Sequence, residues 1–298
     1  MRVRVLGTAA GGGLPQWNCG CGPCERARAA GPSAWRSQEA LAVSVSDDAW
    51  YLVNASPDTR GQLLTVPDLA PPAGSRRTPV RGVLLTDGEL DHTVGLFALR
   101  EGAALDIHAP QAVLAALTDA FPLRGLLAPY GTVRWHPVPE AGGELLLDEG
   151  RLAVSAVPIS DKRPRYAEQS TVAGPWVVGY RLRETATGAT LVYVPSLARW
   201  PDELDALLDD AHCVLLDGTF WTEDEMAAIH PGSRTATAMG HLPISGPGGT
   251  LARLRPGTRL LYTHLNNTNP LSDPDTPARA ALAAGGAEVA EDGQEIVI

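Results

Sequence analysis

The stretch LLTDGELDHTVGL, residues 84–96, decides how the rest of the chain is read. An apolar run breaks at Thr86 and delivers Asp87, Glu89, Asp91 and His92 into a loop ahead of the next helical pattern. Groups at a strand's end are held by the scaffold yet face solvent. The adjacent Asp91–His92 pair offers one carboxylate oxygen and one imidazole nitrogen to a divalent ion, and Asp87 and Glu89 remain as outer ligands or proton acceptors. Taken alone, an acidic loop is more often a solvated surface than a metal site. Two further segments shift that balance. VLLDGTFW (214–221) puts Asp217 at the end of an apolar strand, and RLLYTHLNNTNP (259–270) puts His264 at the end of another. A carboxylate is costly to bury unpaired, so three such ends carrying Asp91, His92, Asp217 and His264 are expected to converge on one ion. MGHLPISGPGG (239–249) adds His241 in a turn-rich loop, as a ligand, a proton carrier or a helix cap.

Working outward, residues 2–6 (RVRVL) alternate as a half-exposed strand, and 41–46 with 49–54 read as a hairpin around Asp47–Asp48. A short helix is expected from Pro57–Asp58 to near Pro67, a surface loop over 71–79, a strand over 80–85 and a helix over 93–100. A strand at 104–108 and a helix at 111–120 follow. The second half repeats the habit, with strands near 152–157, 176–182, 190–194, 213–217 and 259–263 and helices near 201–209, 222–228 and 276–284. Mixed hairpins and strand-to-helix units suit two sheets with helices outside, an α/β (or α+β) architecture. Nothing between 120 and 175 has the composition of a linker, so 1–298 reads as a single domain.

The 298 residues are 44% hydrophobic, enough for a substantial core. Twenty-four lysines and arginines against 34 aspartates and glutamates give a formal charge of −10, with no basic stripe to follow a phosphate backbone, which argues against nucleic-acid partners. The N-terminal stretch lacks the apolar segment of a signal peptide, and charged residues and glycines interrupt every apolar run well short of about 18 residues. No membrane span is expected, and the expected location is cytoplasmic.

NCGCGPC (18–24) brings Cys19, Cys21 and Cys24 together as C-x-C-x2-C, a spacing suited to one soft ion such as zinc, the fourth ligand coming from elsewhere. A closed site of this kind ties down a loop and need not be catalytic. Cys213, in an apolar strand, reads as a small buried hydrophobe. His108, His136, His212 and His230 read as structural or surface residues. Gly11–Gly13 lack the rest of a phosphate-binding loop and read as a tight turn.

Together GTAAGGGLPQWNCGCGPC, NASPDTR, LLTDGELDHTVGL, DGTFWTEDEM, MGHLPISG and HLNNTNPL make a chain that, over residues 6–298, resembles the pyrroloquinoline quinone biosynthesis protein B family of the metallo-β-lactamase superfamily. The resemblance implies an αββα sandwich with metal at the sheet edges. The superfamily's H-x-H-x-D-H loop falls on Asp87, Glu89, Asp91 and His92, so both leading histidines are missing and the usual dinuclear zinc site is in doubt. Asp217 matches the later aspartate, His264 the final histidine, and His241 the histidine of a GH turn. In relatives with the cysteine knot a histidine three places after the final ligand completes the structural site. Here that place is Asn267, a weak candidate for the fourth ligand.

By the same resemblance the implied activity is an iron- and oxygen-dependent hydroxylation of the tyrosine ring of a glutamate–tyrosine precursor. One Fe(II), or zinc in its place, would sit on Asp91, His92 and His264 with Asp217 as a fourth or outer ligand. His241, Asp87 and Glu89 would be the catalytic proton groups, and Arg60 and Arg100 weak anchors for substrate carboxylates. The implied partners are a small peptide-derived substrate, molecular oxygen, other proteins of the pathway and a second copy of the chain. A zinc-dependent phosphodiesterase and a noncatalytic carrier of the quinone or its precursor toward the periplasm stand as alternatives.

Overall fold

The structure is a computed structural model that describes residues 1–101, 104–139, 142–254 and 257–298. The first half runs β1 (Arg2–Gly7), α1 (Gly22–Ala30), β2 (Ala40–Ser44), β3 (Trp50–Val53), α2 (Thr59–Thr65), β4 (Val80–Leu84), α3 (Leu90–Thr93), β5 (Leu105–Ala109), α4 (Gln111–Ala116), α5 (Leu123–Leu127) and β6 (Val133–Pro137). The second half runs β7 (Leu145–Leu147), β8 (Leu152–Ser160), β9 (Val177–Glu184), β10 (Thr190–Val194), α6 (Asp202–Asp209), β11 (Cys213–Asp217), α7 (Glu225–Ile229), α8 (Ala236–Met239), β12 (Arg259–Thr263), α9 (Pro277–Ala284), β13 (Ala287–Val289) and β14 (Glu295–Val297).

Two seven-stranded sheets result, β14-β1-β2-β3-β4-β5-β6 and β13-β12-β11-β10-β9-β8-β7. In each, one half is antiparallel and the other parallel: β3 to β6 run parallel in the first, and β10 to β13 in the second. Strand alternation sorts the side chains into layers. Val3, Val5, Tyr51 and Val53 meet Val154, Tyr180, Leu191 and Leu215 between the sheets. Trp50 and Leu52 point outward with Leu85 to a layer holding Leu96 and Val113, while Val192 and Val214 pack outward against Leu204 and Leu282. Strands covered on both faces need apolar runs, which 213–216 shows unbroken and 80–85 shows interrupted only by Arg81. The architecture is an αββα metallo-β-lactamase sandwich. No helix among the described residues is long and apolar enough to cross a membrane.

Several boundaries differ from expectation. The helix expected at 93–100 begins as α3 at Leu90 and continues as a 3-10 turn over Val94–Glu101, and the one expected at 111–120 ends at Ala116. Helix α1, over a segment to which the sequence assigned no element, has proline in its first turn and Cys24 and Ala27 on its buried side. β6 carries Pro137 and is largely uncovered, so it lacks both the composition and the alternation of a recognisable strand.

Candidate metal centre

The parallel strands of both sheets deliver their carboxyl ends to one edge, where open sheets of parallel strands habitually bind ligands. After β3 the chain turns at Asn54 (φ 64°), whose side-chain oxygen accepts hydrogen bonds from the Thr86 amide (3.0 Å) and hydroxyl (3.1 Å) just beyond β4. The next residue, Asp87, is buried and lies 2.8 Å through each carboxylate oxygen from His92 Nδ1, and its Oδ1 accepts from the Glu89 amide at 2.9 Å. A carboxylate only accepts, so His92 Nδ1 carries the proton. His92 Nε2 is buried without a hydrogen-bond partner. Burial disfavours the His92 cation, but Asp87, Asp91 and Glu39 outweigh burial and raise the ring to about 10. An ion taken up at Nε2 therefore displaces a proton.

Opposite, β11 ends in Asp217 and β12 leads to His264, which holds a left-handed backbone (φ 59°). Such a conformation in a residue other than glycine costs roughly 1–3 kcal/mol and marks a position fixed by its surroundings. Asp217 is wholly buried and all its bonds are accounted for. Oδ1 accepts from the Thr219 amide (2.9 Å) and hydroxyl (2.6 Å), and Oδ2 from the Leu197 amide (2.7 Å) and His241 Nδ1 (2.8 Å). Having donated to Asp217, the Thr219 hydroxyl accepts from His264 Nδ1 at 2.8 Å. His264 Nε2 is thereby left as a bare acceptor, buried and without a hydrogen bond, 3.7 Å from Asp91 Oδ2. The His264 ring stands edge-on to His92 (5.3 Å between centroids) and stacks on His241 (5.5 Å).

Ligand atoms of Asp91, His92 and His264 lie within 4.8 Å of one another, as do those of Asp217, His241 and His264. The first group fits a divalent ion: two unpartnered imidazole nitrogens and a carboxylate meet in a buried space with no thiolate among them. Burial opposes the charge on Asp91, but His92 and His264 hold its carboxyl well below the usual range. Gly11 lies so close that a β-carbon there would stand 3.0 Å from Asp91 Oδ2. Glu89 turns instead toward Lys162, 3.7 Å away. Arg60 is exposed, and Arg100, also exposed, bonds the Phe97 carbonyl and Glu101 and lies over the Tyr130 ring, so neither joins the cluster.

Three contributors were not singled out from the sequence. Thr219 and Asn54 act through hydrogen bonds to residues distant in the chain. Glu39 is buried at the start of β2, with Oε2 accepting from Asn54 Nδ2 at 2.9 Å and lying 3.4 Å from His92 Nε2. Burial, only partly offset by His92, pushes its carboxyl up to about 8. A glutamate directly ahead of an apolar strand was the sole signal.

The cysteines form a second cluster. Cys19, Cys21 and Cys24 are buried with their sulfurs mutually within 4.8 Å, and Asn267 Nδ2 lies 3.2, 3.6 and 3.3 Å from them. His230, expected only as a structural or surface residue, has Nε2 3.6 Å from Cys19 Sγ. Burial opposes the Cys19 thiolate, but hydrogen bonds from Cys21, His230 and Cys24 outweigh it and bring the thiol down to about 7.

Comparison with known proteins places the chain in a family and agrees with the fold. The β-lactamase superfamily domain model matches residues 49–265. Coenzyme PQQ synthesis protein B of Azoarcus sp. (strain BH72) is 42% identical over 98% of each chain. The crystal structure of Zn(2+)-bound PqqB from Methylobacterium extorquens, 34% identical, superposes over the whole of both chains with a TM-score of 0.89. A diphosphatase of the PhnP family shares the fold (TM-score 0.66, 19% identity, covering 100% of this chain and 97% of its own). With a full-length relative at 42% identity and the superfamily model covering the strand ends that carry the cluster, the chain belongs to the coenzyme PQQ synthesis protein B family of the β-lactamase superfamily.

Proposed function

We propose that this protein hydroxylates the tyrosine ring of a small glutamate–tyrosine precursor in pyrroloquinoline quinone synthesis, using iron(II) and molecular oxygen. The observation that carries this reading is the donor set of Asp91, His92 and His264, two imidazoles and one carboxylate within 4.8 Å. That set with open positions is the one non-haem iron oxygenases employ. Iron, when bound, supplies the redox chemistry of oxygen insertion. Asp87 and Thr219 hold the two ligand imidazoles in the tautomers that face the ion, and Asp217, saturated by hydrogen bonds, serves as an outer group that orients His241 and Thr219. His241 keeps its Nδ1 proton on Asp217 and offers Nε2 as the atom that takes or returns a proton. Carrying the phenol through to the ortho-quinone with release of one water balances the four electrons of one oxygen molecule. Cys19, Cys21 and Cys24 hold a separate structural zinc faced by Asn267.

Zinc at the catalytic position is the second reading, favoured by the zinc-bound relative at 34% identity, with phosphodiester hydrolysis as its chemistry. Iron-loaded protein given the glutamate–tyrosine dipeptide and labelled oxygen decides between them. The expected result is ring product carrying the label, lost in His92→Ala and His264→Ala and slowed in His241→Ala. Iron-occupied protein that binds the dipeptide without oxygenating it overturns the proposal. Turnover of bis(p-nitrophenyl) phosphate by the zinc form, abolished in His264→Ala, would establish the second reading.

A further inference from the structure

We infer that Glu39 is an additional carboxylate ligand of the ion held by Asp91, His92 and His264. The inference rests on reading those three as ligands and adds a residue from a different part of the chain. Glu39 is 1% exposed, and a carboxylate so placed needs a cation or several donors. Among the described residues no lysine or arginine pairs with it. One oxygen, Oε2, accepts from Asn54 Nδ2, and the other, Oε1, is buried with no partner at all. The group facing the carboxylate is His92 Nε2, 3.4 Å from Oε2, the nitrogen that Asp87 leaves unused.

The backbone explains how Glu39 reaches this place. Ala9 bridges both Gln38 and Leu265, and the Glu39 amide donates to the Ala9 carbonyl at 2.7 Å. Glu39 and His264 therefore flank the same short stretch of chain at the sheet edge. A purely structural role would be to hold the Asn54 side chain, and through it Thr86, but a glutamine oxygen accepts that hydrogen bond equally well. What the Asn54 contact leaves unexplained is Oε1, buried with no partner on a carboxyl that faces the unpartnered nitrogen of His92, and a shared ion accounts for both.

Manganese(II), a hard ion that a thiolate site takes poorly, probes this site apart from the cysteine cluster. Its affinity is read from the electron paramagnetic resonance of the free ion in titrations of the full chain. Glu39→Gln, which keeps shape and the Asn54 bond, is expected to weaken binding at least tenfold, while the metal-free melting temperature stays the same or rises. Glu39→Asp, which keeps the charge, is expected to bind more tightly than Glu39→Gln. Glu39→Gln affinity within twofold of the parent, or Glu39→Gln binding as tightly as Glu39→Asp, overturns the inference. His92→Ala separates this from failure of the underlying reading. If His92→Ala abolishes binding while Glu39→Gln leaves it intact, only the role of Glu39 falls. If His92→Ala binds like the parent, the ligand set itself is wrong and the inference falls with it.

Discussion

Both His92 and His264 have one ring nitrogen engaged by the protein and one left over, and what engages it sets the chemistry of the other. For His92 the engaging group is Asp87, at 2.8 Å through both oxygens. Replacing Asp87 with asparagine keeps the volume but removes the charge that orients and enriches the ring. Asp87→Asn is expected to lower divalent-ion affinity about 10- to 100-fold in equilibrium titrations. Unchanged affinity would show that Asp87 does not act through His92. Asp91, His92, Asp217, His241 and His264 were legible in the sequence as chemically interesting residues: Asp217 and His264 end apolar runs, Asp91 and His92 lie in the loop where another run breaks, and His241 stands in a turn-rich loop. Glu39 and Thr219 were not. A threonine beyond a strand is ordinary, and only folding puts its hydroxyl within 2.6–3.0 Å of Asp217, His241 and His264.

At the scale of elements, the centre depends on how closely the segment after α3 sits on the turn that follows β3. Gly95 makes that approach: its amide donates to the Ala55 carbonyl at 2.9 Å, and a β-carbon there would fall on the Ser56 carbonyl and the Thr59 hydroxyl. Gly95→Ala is expected to cost about 1–3 kcal/mol or more as overpacking and to push Asp91 and His92 away from His264. Melting temperature and ion affinity should fall together, and a variant that lost stability while keeping full affinity would contradict this coupling. The long central strands and the loops they feed were readable from apolar runs broken by charge. The three-residue strands β7, β13 and β14 were not, since such short pieces show no alternation and are defined by their neighbours.

At the scale of the molecule, the cysteine cluster joins residues 19–24 to Asn267 and His230, more than two hundred positions away in the chain. An ion held there, as proposed, would close the N-terminal segment onto the loops that carry Asn267 and His230. Replacing Cys19, Cys21 and Cys24 together with serine is expected to remove one zinc per chain and lower the melting temperature by roughly 5 °C or more. The core shared by strands of both sheets supports our proposal that residues 1–298 unfold as one unit. Coincident fluorescence and near-ultraviolet circular dichroism transitions test this, and separated transitions would refute it. Retained zinc with an unchanged melting temperature in the triple variant would refute the assignment of the cysteines.

Local chemistry in the sequence was enough to determine which segments form apolar strands and which loops after them carry carboxylates and histidines, while the replacement of both leading histidines of the superfamily's metal loop by Asp87 and Glu89 came from the family resemblance. The first two are statements about neighbours in the chain, and residue type with period expresses them directly. The tertiary structure alone decided which nitrogen of His92 and His264 is left without a partner, that Asp217 is saturated by hydrogen bonds, and that Glu39 stands beside His92. Contacts such as that of Thr219 with His264, 45 positions apart, or of Glu39 with His92 depend on the register of two sheets and the meeting of their strand ends, which no local pattern encodes.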